Sequence, residues 1–150
     1  MRLHFLPCLL ALTAVACGTP PAAGTAATPS EAALSAQPWV LMQATTADGQ
    51  PVAALLDKPG KPFALTLQHG RLGVANGCNH IGGQYRLQGN ELVIGDLMST
   101  LMACADKRLM DADGAMGEAL KDRVRVEMPD AGSLRLTAAN GWTLQFRRGP

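Results

Sequence analysis

The last quarter of the chain alternates between apolar and polar residues, and this pattern constrains the fold more than any other feature. In the run WTLQFR, at 142–147, large apolar residues occupy every second position, and VRVEM (124–128) and SLRLTA (133–138) repeat the pattern. Because strand side chains point to opposite faces in turn, each run predicts a strand with one buried face and one solvated face. Asn140 and Gly141 between two of these runs predict a tight type I′ hairpin turn.

Shorter runs of the same kind fill the middle of the chain. Two pairs of them are separated by the turn dipeptides His69-Gly70 and Gly89-Asn90. Short strands at close spacing, with turn residues between them, predict a mainly β domain built as an antiparallel sheet or small barrel. The predicted strands are 39–45, 51–56, 63–68, 71–75, 84–88 and 91–95.

One segment, from Asp106 to about Arg123, has helical periodicity instead. Its apolar residues recur at spacings of three and four and form one stripe, which predicts a single α-helix packed on the sheet. Asp106 is the predicted N-cap, and acidic residues such as Asp111 and Asp113 are assigned to the solvated side. The stripe consists of Leu109, Ala112, Met116, Leu120 and Val124.

Residues 1–16 predict a secretory signal, because Arg2 precedes an apolar stretch shorter than the roughly 20 residues of a membrane-spanning helix. The run TAVAC resembles a lipobox, the site where a bacterial lipoprotein signal is cut before a cysteine that receives lipid. That cysteine is Cys17, and more than one acyl chain there gives stable membrane attachment. The residue after the lipid site is Gly18 and not Asp, which resembles the pattern of lipoproteins sorted to the outer membrane. We therefore expect a protein anchored in the outer membrane and facing the periplasm. The alternative is an ordinary signal that leaves Cys17 as an odd thiol.

Residues 17–37 are rich in Ala, Pro and Thr and carry a single charge, Glu31. A segment of this composition buries too little apolar surface to offset its ordering entropy, so we expect a flexible linker after the lipid site. The folded domain is predicted at 38–148. A formal net charge of +1, with both signs mixed along the chain, argues against nucleic acid as a partner.

Two cysteines remain in the predicted domain, Cys78 and Cys104. In an exported domain an isolated pair predicts a disulfide, and the loop of about 26 residues gives roughly 3.5 kcal/mol of stabilisation. Metal binding is an alternative, because His80 and Asp106 complete a set of four side chains able to bind zinc. Free thiols are the third possibility.

The run GCNH raises the question of catalysis, but nothing around it completes a catalytic motif. The sequence lacks the nucleophile-elbow, zinc-protease and Walker patterns. The glycines at 77, 82 and 83 are therefore interpreted as positions where the strand bends or bulges, and Asn79 as a residue that braces the local turn. No cofactor, no metal and no enzymatic activity are predicted.

The ordered set NGCNHIGGQYRLQGNELVI, STLMAC and a following helix resembles the META domain, also called the HslJ-like domain. This resemblance implies a lipocalin-like antiparallel barrel or half-barrel with one packed helix, in a bacterial envelope lipoprotein linked to heat shock, antibiotic tolerance or motility. It implies no established activity or ligand. Ile81 stands where the family commonly has an aromatic residue, and Leu101 where it commonly has a basic one. The residues that match the family motif are Gly77, Asn79, Gly83, Tyr85, Thr100, Met102 and Ala103.

Three functions are compatible with these observations. The first is a non-enzymatic, membrane-anchored envelope lipoprotein that supports stress or antibiotic tolerance by contacting another envelope protein. The second is a barrel that binds a small ligand, although few aromatic residues and a regular Leu, Val and Met alternation favour a packed interior. The third is an inhibitor of a cell-wall lytic enzyme, with the loop QHGR (68–71) as its candidate reactive segment.

Overall fold

The computed structural model describes residues 27–150. The predicted signal peptide, 1–16, and the predicted lipidation site, Cys17, lie outside the described residues. Among the helices of the described part, none has the length and apolar character needed to cross a membrane.

The described chain forms a closed antiparallel barrel in which almost every strand pairs with its neighbours in sequence. Eight strands make the barrel, and it closes where the first strand pairs with the last. A ninth, two-residue strand, β6, pairs with β4. The predicted lipocalin-like barrel is confirmed, as a closed barrel. The strands are β1 (Trp39–Thr45), β2 (Ala64–Gln68), β3 (Arg71–Ala75), β4 (Ile81–Gln88), β5 (Glu91–Ile94), β6 (Met98–Ser99), β7 (Arg123–Asp130), β8 (Ser133–Thr137) and β9 (Thr143–Arg148).

Large side chains fill the barrel interior. Alternate residues of each strand point inward, as the period-two pattern predicts, and they form one continuous core. Since the interior of a small barrel is just wide enough for side chains, this packing leaves the barrel as a solid core. The largest fully buried side chains include Trp39, Phe63, Phe146, Leu65, Leu67, Leu92, Leu134 and Leu136.

The connections alternate between two ends of the barrel, and the ends differ in construction. At the turn end, which carries the β2–β3, β4–β5 and β7–β8 connections, the turns are short. At the network end, which carries the β1–β2, β3–β4, β5–β7 and β8–β9 connections, two of the connections are long and contain helices α2 (Ala53–Leu56) and α3 (Lys107–Ala119).

The turn types differ in part from the prediction. Both His69 (φ 51°) and Gly70 (φ 70°) are left-handed, so the type I′ geometry occurs at the β2–β3 turn. At the β8–β9 hairpin only Gly141 is left-handed (φ 82°), and its N–H donates to the Ala138 carbonyl at 2.9 Å. The hairpin exists as predicted, but the type I′ assignment there was wrong, because Asn140 does not adopt positive φ.

The fold begins earlier than predicted, because part of the expected linker is structured. Helix α1 (Glu31–Ser35) begins after Ser30, whose hydroxyl caps it by accepting from Ala33 N. Leu34 is fully buried, and the Leu34 carbonyl accepts from Trp39 Nε1 at 2.8 Å. One buried leucine and specific hydrogen bonds thus fix a segment whose composition predicts a flexible linker.

Two predicted boundaries in the helical regions were also wrong. Residues 51–56 contain helix α2 instead of a strand, since Ala and Leu are good helix formers and only Val52 in that run is β-branched. Helix α3 begins after its predicted N-cap, Asp106, but ends at Ala119. Val124, assigned to the helical stripe, lies in β7, where it continues the alternation of that strand.

Candidate functional site

The β3–β4 connection, residues 76–80, packs against helix α3 through one buried carboxylate. Asp113 is only 8% exposed. Its Oδ1 accepts from the backbone N–H of Cys78 at 3.1 Å, and its Oδ2 accepts from the N–H of Asn79 at 2.7 Å. Because hydrogen bonds to backbone amides stabilise a buried carboxylate, Asp113 holds the GCN segment to the helix.

Asn79 connects this segment to the β6–α3 connection. Its Nδ2 donates to Asp113 Oδ2 at 3.1 Å and to the Met102 carbonyl at 3.3 Å. Its Oδ1 accepts from Met102 N at 2.7 Å and from the Thr100 hydroxyl at 2.9 Å. The donors and the acceptor of the amide are thus all engaged within the protein, so Asn79 acts as a structural brace.

A disulfide fixes the same two segments covalently. Cys78 and Cys104 are bonded, with their Cα atoms 5.9 Å apart. The predicted disulfide is present, so neither sulfur is a thiolate ligand or nucleophile. Asp106 caps helix α3 and accepts from Arg108 N at 2.9 Å, and His80, the residue before β4, is exposed. Across residues 27–150, no cluster of metal-binding side chains is found.

A buried lysine, Lys58, provides a positive charge at the network end, where Asp113 is the buried negative charge. Lys58 is 8% exposed and donates from Nζ to the carbonyls of Lys61 and, at 2.6 Å, Asn76. The ammonium also lies 4.6 Å from the centre of the Phe63 ring. Burial lowers the pKa of Lys58, and the charge of Asp113 opposes that shift.

The connection that Asn79 and the disulfide hold in place exposes large apolar side chains. Leu101 is 99% exposed, and neighbouring methionines on this connection and on α3 are also exposed. We call these residues the apolar rim. The apolar rim consists of Met98, Leu101, Met102 and Met110.

The match to a protein-family model decides the family. A model of the META domain matches residues 32–149. The chain belongs to the META domain family. The matched region includes all of α1 except Glu31, in agreement with the structured segment before β1.

Solved structures of similar proteins share the fold. An NMR structure of a protein from Burkholderia xenovorans has a TM-score of 0.64 and 31% identity, covering 88% of this chain and 98% of that one. A second NMR structure has a TM-score of 0.58 and 26% identity, covering 80% and 95%. A DUF4847-family protein from Bacteroides vulgatus, at 16% identity and a TM-score of 0.52 over 77% and 94%, shows the fold alone. No significant match is found among curated proteins.

The structure gives the META-motif glycines a steric role. A Cβ on Gly77 would overlap Asp113 Oδ1, and a Cβ on Gly83 would lie 3.0 Å from the Asp96 carbonyl. The β3–β4 register is continuous, so β4 has no bulge opposite β3 at these glycines, and the predicted bend stays a prediction. These glycines instead allow close approach of neighbouring segments.

Two further residues of the META motif lie apart from each other. Ala103 is an exposed residue next to Cys104. Tyr85 is buried in β4 and donates from its hydroxyl to Glu31 Oε2 at 2.7 Å, which ties β4 to α1. The motif therefore contributes to two separate tertiary contacts and does not converge on one pocket.

Sequence reasoning missed the central acidic residue of this site. Asp113 was assigned to the solvated side of the helix because it is charged. A signal was nevertheless available, since Asp113 is four residues after Leu109 and three before Met116, on the buried stripe. A charged residue in such a position indicates a buried polar contact.

Proposed function

We propose that this META-domain protein is a lipid-anchored envelope protein that supports stress or antibiotic tolerance by contacting another envelope protein, without catalysing a reaction. The observation that carries the proposal is the apolar rim. Its most prominent residue, Leu101, is almost fully exposed on a segment held by a disulfide and by Asn79. Exposed apolar side chains that cluster in one patch are typical of protein contact sites.

The fixed geometry of the apolar rim favours binding. A surface that is already ordered loses less conformational entropy when a partner docks. Methionine adds adaptability, because its flexible thioether side chain packs against irregular surfaces. Met98 and Met102, 69% and 58% exposed, flank Leu101 along the connection. Such a surface can hold its backbone fixed and still fit a partner closely.

The position of the N-terminal segment supports a membrane anchor on the opposite side. Ala27 pairs with Met128 in an isolated β-bridge. Strand β7 begins at the network end with Arg123, and Met128 lies five residues further along it, about 17 Å from the network end at 3.3 Å per residue. Lipid on Cys17, ten residues before Ala27, would hold the barrel within about 35 Å of the membrane. In this arrangement the turn end faces the membrane and the apolar rim faces the periplasm.

The two other functions have less support. The barrel core is filled by its own side chains, which disfavours a small ligand carried inside it. The QHGR segment, 68–71, forms a two-residue turn between paired strands, with Gln68 opposite Arg71. A turn this short does not protrude as the reactive loop of an inhibitor would.

Photo-crosslinking in the producing bacterium tests the proposal. A photoreactive amino acid at position 101 should yield an adduct of discrete mass with an envelope protein, whereas the same amino acid at the exposed Gln88, at the turn end, should not. Leu101→Ser should lower tolerance to envelope stress while leaving the melting temperature unchanged, because the side chain makes no buried contact. No adduct at position 101, or the same adduct from both positions, would overturn the proposal.

A further inference from the structure

A cleft of about 520 Å³ lies between β6 and helix α3, at the network end. It is located where β5 leaves the barrel and the helix, instead of another strand, comes next to β6. Its apolar floor consists of Ile81, Ile94 and Leu97. Ser99 of β6 and Gly117 of α3 both line it.

The outer edge of β6 offers unpaired backbone groups. Within residues 27–150 β6 pairs with β4 and with no other strand. Thr100 donates its N–H to the His80 carbonyl at 3.2 Å, and hydrogen-bonded and non-bonded pairs alternate along an antiparallel ladder. The N–H and C=O of Ser99, one residue earlier, therefore point away from β4. Such an edge is a template for an added strand.

The helix side of the cleft is left open by two glycines. Gly114 and Gly117 line the cleft, and a Cβ on either would have no heavy atom within 4 Å. Neither glycine is required by a close contact, and both cost helix stability. Their effect is to leave room beside β6 for an additional backbone and its inward side chains.

The charges at the opening favour a basic occupant. Asp96 and Asp122 line the cleft together with one cation, Lys121. Among the described residues, the side chains of Asp96, Lys121 and Asp122 make no hydrogen bond and no ion pair. The opening therefore carries an excess of negative charge, which favours lysine or arginine on a bound chain.

We propose that this cleft binds an extended peptide segment of a protein partner, added as a strand along β6. The segment carries apolar residues at alternate positions and at least one basic residue. Backbone hydrogen bonds to Ser99 supply affinity, and an apolar side chain inserted over Ile81 and Leu97 supplies specificity. This inference rests on the proposed contact function and specifies the partner chemistry that the function requires.

Two substitutions block the cleft by different means. Gly117→Leu fills it from the helix side into open space, and Gly117→Ala is the matched control that adds one methyl group. Ser99→Pro removes the outward N–H at an edge position that tolerates proline, and Ser99→Ala is the control that keeps it. Retained melting temperatures establish that each variant folds.

The probe is a displayed library of random ten-residue peptides, selected on the full chain in detergent micelles. The expected result is enrichment of peptides with alternating apolar residues and a Lys or Arg. Enriched peptides should bind Gly117→Leu and Ser99→Pro at least tenfold more weakly than the two controls. Replacing Lys or Arg by Glu in the peptide should weaken binding severalfold, and hydrogen exchange at Ser99 should slow when peptide binds.

Other results overturn the inference. The inference fails if the selection enriches no peptides, or if the enriched peptides bind Gly117→Leu as tightly as they bind the wild type. Self-association that Ser99→Pro abolishes, without peptide binding, would assign the edge to a second copy of this chain. If the crosslink at position 101 persists in Gly117→Leu, the contact function stands and only the cleft inference fails. If the wild type gives neither the crosslink at position 101 nor peptide binding, the contact function fails too.

Discussion

The two ends of the barrel are stabilised in different ways. The turn end is formed by short turns and by α1, with Leu34 in the core and Tyr85 bonded to Glu31. At the network end, a disulfide and a set of hydrogen bonds join the β3–β4 connection to the β6–α3 connection and to helix α3, including the hydrogen bond from Cys78 N to Asp113. The network end also carries the buried charges, the apolar rim and the cleft. The two proposed binding features thus lie at the end that the disulfide and the Asn79 and Asp113 hydrogen bonds hold together.

The largest effect is expected for Asp113→Ala at the network end. The change leaves two backbone amides and the Asn79 side chain without their acceptor, and Lys58 without its countercharge. The free energy of unfolding should fall by about 3–5 kcal/mol, because each buried donor left without an acceptor costs roughly 1–3 kcal/mol. Chemical denaturation measures it. Asp111→Ala, an exposed residue of the same helix, is the control and should change stability by less than about 0.5 kcal/mol.

Removing the disulfide is the next largest change. Cys78→Ser with Cys104→Ser releases a loop constrained over a separation of 26 residues, and the free energy of unfolding should fall by about 3.5 kcal/mol. Hydrogen exchange should accelerate in the β6–α3 connection and remain unchanged in the turns of the opposite end. Uniform acceleration at both ends would contradict the distinction between them.

Leu34→Ala tests the turn end. The side chain is fully buried, so its truncation should lower the free energy of unfolding by about 3 kcal/mol. Denaturation of the wild type and variant measures the difference, with Leu56→Ala, at a position 36% exposed, as the control with a smaller effect. A change below about 0.5 kcal/mol would mean that α1 does not contribute to the barrel core.

Tyr85 gives the same end a pH dependence. Burial, followed by the hydrogen bond to Glu31, raises the pKa of Tyr85 above its ordinary 10.0. The folded state then keeps a proton that the unfolded state loses, so stability should decrease as the pH rises above 10. Tyr85→Phe should cost about 1 kcal/mol at neutral pH and remove this decrease. Because the chain has a single tyrosine, tyrosinate absorbance reports Tyr85 alone. Equal titration midpoints with and without denaturant would contradict the predicted shift.

The smallest effect is expected to be stabilising. Gly114→Ala on α3 places its methyl group in open space and should raise the free energy of unfolding by about 0.5–1 kcal/mol. Gly77→Ala, at the same end, should destabilise the protein because its Cβ would overlap Asp113. Thermal melts of the two variants should therefore shift in opposite directions, and a shift in the same direction would refute the steric assignment.

The sequence predicts the barrel better than the site. Strands β7, β8 and β9 could be predicted because each has one solvated and one buried face, so apolar and polar residues alternate along its sequence. Helix α2 could not be separated from a strand, since a short apolar run fits both. Asp113 and Lys58 have their roles because the folded chain buries them. The sequence indicates such burial only where a residue falls on the apolar stripe of a helix or on the apolar face of a strand. Helix α1 depends on contacts to Trp39 and Tyr85, which composition does not encode.

The closure of the barrel between its first and last strands has a consequence for biogenesis. One edge of β1 pairs with β9 from Trp39 opposite Arg148 to Thr45 opposite Thr143, interrupted only by a register shift at Met42. The barrel therefore cannot close until the C-terminal residues have been synthesised, and this long-range pairing makes folding slow relative to a chain with local contacts. For a protein exported as we propose, late closure of the barrel keeps the polypeptide unfolded while it crosses the membrane. In such a protein the β1–β9 pairing forms only after the whole domain has crossed the membrane.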